Sequence, residues 1–162
     1  MSHRFVICAL GAFLGAPVSA MAQSDPLFHC HFPNGKEVTI NVQAEGVSYA
    51  FGPPHAAPEL QLERPYADVG VLPWNGVGRS IWEEIRIPNG DVTYAVWGSF
   101  DRMTEAHEVS GGIVVERGGE ELARLDCAPS GVIYAPFSFS DVYEEAGYCW
   151  SFETERWQEA CE

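Results

Sequence analysis

Residues 28 to 126 alternate apolar and polar side chains in short runs rich in Val, Ile, Phe, Tyr and Trp, and the breaks between runs hold Asn-Gly, Glu-Gly, Pro-Pro and Gly-Gly pairs. A period of two between such breaks marks strands that bury one face. It predicts strands over 28–32, 36–43, 47–51, 59–63, 80–87, 91–100, 111–117 and 120–126. No helix-period run interrupts them, so the expected fold is mainly β, an antiparallel eight-stranded barrel or sandwich.

Two turns carry register information. Pro33-Asn34-Gly35 and Pro88-Asn89-Gly90 are each followed shortly by Val-Thr. A three-residue loop at the first, with Gly35 in the left-handed conformation, sets Cys30 against Val38 and Phe28 against Ile40, and collects an apolar face. At the second, a two-residue Asn89-Gly90 loop pairs Ile87 with Val92 and brings Trp82 opposite Trp97. It also places Pro88 where a ladder amide is needed. A three-residue loop avoids that cost but mixes the faces, and the two-residue loop is preferred.

Past Cys127 the pattern changes. Ser138 with Asp141 three residues on reads as a capping box and Gly147 as a stop, which predicts a helix over 139–146; Ser151 opens a second over 152–160. Tyr143, Tyr148, Trp150, Phe152 and Trp157 are too much aromatic surface to hang free. Residues 128–162 are therefore expected as a helical appendix, clipped by a disulfide and packed on a β domain of residues 23–127.

The first 22 residues read differently again. Arg4, the apolar run "FVICALGAFLGAPVSA" and the small residues Ala20 and Ala22 form the three parts of a signal peptide. Cleavage after Ala22 leaves 140 residues, enough for one domain with a real core, and no stable membrane insertion. The expected location is the periplasm or the exterior. Four cysteines remain, which in an oxidising compartment reads as two disulfides with three possible pairings. Cys30–Cys127 with Cys149–Cys161 is favoured, because the first joins the ends of the strand-rich region and the second clips the tail.

The shortened chain carries 8 basic and 23 acidic side chains, a net charge of −15 with neutral histidine. That field repels nucleic acid and anionic lipid, and it favours a basic exported protein or another cationic ligand. Exposed edge strands leave a homodimer open. No cofactor is expected.

Three groups of residues carry candidate chemistry. His29 and His31 lie at i and i+2 and share a strand face with Glu37, a ligand set that suits zinc. Glu83 is the one acid predicted on the apolar face of a strand, so it is the candidate for a raised pKa and for the acid of a glycosidase or other hydrolase. Trp74, on the Gly- and Pro-rich connection 64–79, reads either as a contact residue or as a lid, with Arg79 as its nearest cation. Trp82 and Trp97 join it as candidate binding residues.

The order "FHC…FPNG…SYAFG…PWNGVGRSIWEE…NGDVTYAVWGSFDR…GGIVVERGGEELARLDC" resembles a group of small exported proteins of α-proteobacteria, a likeness that implies export and no activity. More loosely, Ser130-Gly131-Val132-Ile133-Tyr134 is similar to the Ser-Gly-x-x-Tyr segment of periplasmic inhibitors of C-type lysozyme, which are small, acidic, disulfide-stapled β-barrels. That likeness implies that Ser130 and Tyr134 enter a lysozyme cleft. Those inhibitors follow the segment with a lysine-bearing strand, whereas the one lysine here is Lys36. The expected function is that of an exported, non-enzymatic binding protein, with metal binding and hydrolysis as alternatives.

Overall fold

The computed structural model describes residues 25–159. The expected signal segment and Cys161 lie outside the described residues.

The alternation predicted from sequence builds two five-stranded antiparallel sheets, stacked like a sandwich and not closed into a barrel. The first sheet has the order β10-β1-β2-β3-β4, from Val132–Ile133, Phe28–His31, Glu37–Gln43, Gly46–Gly52 and Leu60–Pro65. The second has the order β5-β6-β7-β8-β9, from Gly70–Leu72, Ser80–Asn89, Val92–Asp101, Val109–Arg117 and Glu120–Asp126. Phe28, Cys30, Val38, Ile40, Val47 and Tyr49 from one sheet meet Val71, Ile85, Ile87, Val96 and Ile113 from the other in a single core. Each such side chain, fully buried, contributes about 1.5–3 kcal/mol. The open edge at β9 is blunted by Glu120, Glu121, Arg124 and Asp126, charges that oppose pairing with another strand.

The first hairpin has the predicted register: Phe28 faces Ile40, Cys30 faces Val38, and Gly35 takes φ +80°. The second does not. Asn89 pairs with Val92 and Ile87 with Tyr94, so the loop is Gly90-Asp91, with φ +64° at Gly90 alone. Glycine at the first central position is the requirement of a type II′ turn. Pro88 then pairs with Thr93 at a position whose amide points away from β7, and its carbonyl accepts a hydrogen bond from Arg64 Nε at 2.8 Å. The proline costs no bond to β7, which was the objection to a tight turn.

The chain crosses between sheets at Cys127. Its amide bonds Gly111 O at 2.9 Å in the second sheet, and the next amide, Ala128 N, bonds His31 O at 2.7 Å in the first. Cys127 is disulfide-bonded to Cys30, as expected, with the Cα atoms 5.8 Å apart. Cys149 is also disulfide-bonded, and its expected partner, Cys161, lies outside the described residues.

The tail is woven into the sandwich more tightly than an appendix. Its β10 pairs with β1, and helix α1, Ser138–Glu145, packs on β5 and β6. The Tyr143 hydroxyl reaches the carbonyls of Tyr66 and Val69, and Trp157 Nε1 donates to Val71 O at 2.9 Å. The second expected helix is instead a hairpin of β11, Cys149–Ser151, and β12, Arg156–Gln158. Trp150 and Trp157 face each other across it with ring centres 5.5 Å apart, and such a cross-strand aromatic pair outweighs a marginal helical pattern. Among the described residues no helix is long and apolar enough to cross a membrane.

Candidate metal centre

The register of the first hairpin turns His29, His31, Glu37 and Thr39 to the outer face of the first sheet, with His29 opposite Thr39 and His31 opposite Glu37. Alternation alone would leave the two imidazoles side by side. Their outer-shell contacts aim them. His29 Nδ1 lies 3.0 Å from Thr39 Oγ1, and His31 Nδ1 lies 3.4 Å from Glu37 Oε2. The rings meet edge to face, and the two Nε2 atoms are 3.3 Å apart. One ligating atom from each of His29, His31 and Glu37 falls within 4.8 Å of the others.

This spacing has a chemical meaning. With its proton on Nδ1, toward the Glu37 carboxylate 3.4 Å away, His31 presents a bare lone pair at Nε2. Where Thr39 accepts from His29 Nδ1, a second lone pair faces the first, and the two repel unless a proton or a cation lies between them. Two nitrogens on one tetrahedral zinc at about 2.0–2.1 Å are themselves about 3.3–3.4 Å apart. Burial, and next the neighbouring His31, hold the His29 imidazole below the usual histidine value, against a smaller pull from Glu37. Both effects favour the neutral imidazole, the form that binds a metal. The His31 side chain is 52% exposed and that of Glu37 26%, so the site opens to solvent.

Glu83 is built for a different purpose. It has no exposed surface, and β6 points it into the core opposite Gly98. Its Oε2 accepts from the Tyr134 hydroxyl at 3.1 Å and from Phe139 N at 3.1 Å; its Oε1 accepts from Ser140 N at 2.9 Å and from Ser140 Oγ. Phe139 and Ser140 stand in the first turn of α1, so the carboxylate of a strand caps a helix. The expected cap, Ser138 with Asp141, makes no side-chain cap hydrogen bond; Phe137 is the N-cap, at φ +71°. Burial raises the Glu83 pKa, and the four hydrogen bonds pull it back only in part. The raised value read from sequence has this cause, but a carboxyl with no surface and four donors is closed to substrate. Trp82, its chain neighbour, lies on the opposite face.

The remaining candidates separate. Ser130 is exposed at φ +65°, whereas Tyr134 is 6% exposed, with its ring over Gly98 where any Cβ would collide with it. Tyr134 is thus packed inside the fold, while Ser130 lies on its surface. Trp74 packs on Phe137, with ring centres 6.1 Å apart, and carries the Arg102 guanidinium over its ring at 4.9 Å. Arg79 is not its cation; it pairs with Asp101 at 2.6 Å. Trp82 pairs with Ser99 and Glu84 with Trp97, so the two indoles are diagonal neighbours on the outer face of the second sheet and not opposite one another. Sequence reasoning gave no role to Thr39, and it missed Arg102 and Ser140, whose parts depend on contacts made far along the chain.

Comparison with protein-family models, with curated proteins and with solved structures finds no match to this chain.

Proposed function

We propose that this chain is an exported, non-enzymatic binding protein whose ligand is a divalent transition metal of the zinc class, held by His29 Nε2, His31 Nε2 and Glu37. The carrying observation is the 3.3 Å approach of the two Nε2 atoms while His29 Nδ1 is hydrogen-bonded to Thr39 Oγ1 and Glu37 completes the cluster. Hydrogen bonding at the far nitrogen fixes tautomer and ring orientation, as it does around established histidine–metal sites. The formal net charge of −14 raises the local concentration of cations. The Cys30–Cys127 disulfide fits an oxidising compartment. Glu83, the fully buried carboxyl, is spent on the fold, which withdraws support from the hydrolase alternative alone.

Titration calorimetry of the mature chain with zinc chloride near neutral pH tests this. One equivalent bound at micromolar Kd or tighter is expected, and His29→Ala or His31→Ala should weaken it by more than the roughly 10–100-fold that loss of an outer-shell partner costs. Wild-type protein that takes up no zinc sinks the proposal. The same charge also steers basic exported proteins, for which salt-weakened association with a basic lysozyme is the corresponding measurement.

A further inference from the structure

A second surface lies on the outer face of the other sheet. The register of β6, β7 and β8 sets Trp97 between Glu84 and Gly112, and Trp82 beside Ser99. A Cβ on Gly112 would stand 2.9 Å from Trp97 Nε1 and 3.1 Å from its Cε2, so the indole packs where Gly112 carries no side chain. Trp82, Trp97, Ser99, Glu84, Glu116 and Arg124 line one open depression of about 440 Å³. That is within the range of small-ligand sites, about 300–1,000 Å³. The Trp97 Nε1–H is buried and has no hydrogen-bond partner.

The charges around the two indoles are already matched. Arg86 Nη1 bonds Glu84 Oε1 at 2.6 Å, Arg86 Nη2 bonds Glu116 Oε2, and Arg124 Nη2 bonds Glu121 Oε2 at 2.7 Å. In a strongly acidic molecule this face is nearly balanced. A cationic peptide would find its carboxylates occupied, and an anion would find its guanidinium groups occupied. Paired carboxylates keep free lone pairs and paired guanidinium groups keep free N–H bonds, so the rim can still accept and donate to neutral hydroxyls. Indole faces carry negative charge density and attract the weakly positive C–H bonds of a saturated ring.

We propose that the Trp82–Trp97 face binds a neutral saccharide, with ring C–H faces on the indoles and hydroxyls on Glu84, Glu116, Ser99 and Arg124. The two indoles lie diagonally across neighbouring strands, an extended platform that suits ribbon-like β-1,4-linked chains more than compact ones.

The test is titration of the mature chain with cellohexaose and chitohexaose, followed by heat and by tryptophan fluorescence. At least one should bind in the micromolar to millimolar range, with a change in tryptophan emission and little dependence on salt. Trp82→Ala and Trp97→Ala should each weaken binding about tenfold or more, a loss of ~1.4 kcal/mol. Trp74→Ala, on a loop that packs against Phe137 elsewhere, should leave it unchanged. Thermal melts establish that each variant is folded, and Trp82→Phe provides a gentler substitution should Trp82→Ala fail to fold. Absence of heat and of any spectral change with both probes at millimolar concentration overturns the proposal. So does binding that survives loss of both indoles, or binding abolished by moderate salt.

Discussion

Glu37 and Glu83 are both strand glutamates in antiparallel sheets, yet the molecule uses them in opposite ways. Glu83 faces inward, accepts four hydrogen bonds and leaves nothing for a ligand. Glu37 faces outward, meets one histidine, and belongs to a cluster whose lone pairs converge. Burial and an unusual pKa mark Glu83 as special, but saturation of its acceptors marks it as architectural. What distinguishes a site here is an unmet valence at an accessible place. A perturbed proton affinity does not do so alone.

The largest expected effect falls on both regions together. Replacing Cys30 and Cys127 by alanine frees β1, which carries the histidines, from the crossing that leads to α1. With a sequence separation of 97, chain entropy predicts a loss of about 4–5 kcal/mol, readable by urea unfolding. Next, Glu83→Ala strands four donors and opens a cavity, which should cost about 3 kcal/mol, while Glu37→Ala should change stability by less than about 0.5 kcal/mol. Similar losses in the two variants would erase the contrast drawn between them.

Acidity gives a finer probe. Because burial raises the folded pKa of Glu83 above its unfolded value, its contribution to stability is complete below the usual glutamate range and is lost as pH rises through the folded value. The unfolding free energy of the wild type should therefore fall relative to that of Glu83→Gln as pH rises across that window. A difference that is flat with pH would mean that Glu83 does not titrate on folding. Smallest of all is Thr39→Val, which removes the oxygen beside His29 Nδ1 and leaves the three proposed ligands in place. Zinc affinity should fall about tenfold and melting temperature without zinc should scarcely move. Unaltered affinity would show that Thr39 does not orient the ring.

The parts of this fold legible in sequence are those decided locally. Pro33-Asn34-Gly35 contains its own turn geometry, so the first hairpin and the facing of His29, His31 and Glu37 could be read directly. The second turn misled because Asn-Gly is a strong hairpin signal in its own right, while here Gly90 serves as the first central residue and Asn89 stays in the ladder. Strands β5 and β10, of three and two residues, are too short to show a period. Alternation marked Glu83 as inward-facing, but its partners lie 51 to 57 residues away, beyond any local pattern. The β11–β12 hairpin was hidden because a tryptophan pair has meaning only once the strands are opposed.

The capping of α1 by a carboxylate from β6 also bears on how the fold can close, since it joins residues that lie 51 to 57 positions apart in the chain. Until residues 134–140 reach the sheet, Glu83 sits on a half-assembled inner face with none of the four donors that will satisfy it, and it is held back from the core by its own hydration. A chain delivered from its N-terminus would thus keep the sandwich ajar until almost all of it had arrived. Closure would then be a late step drawing on contacts distant in sequence, of the kind that makes β-proteins fold slowly.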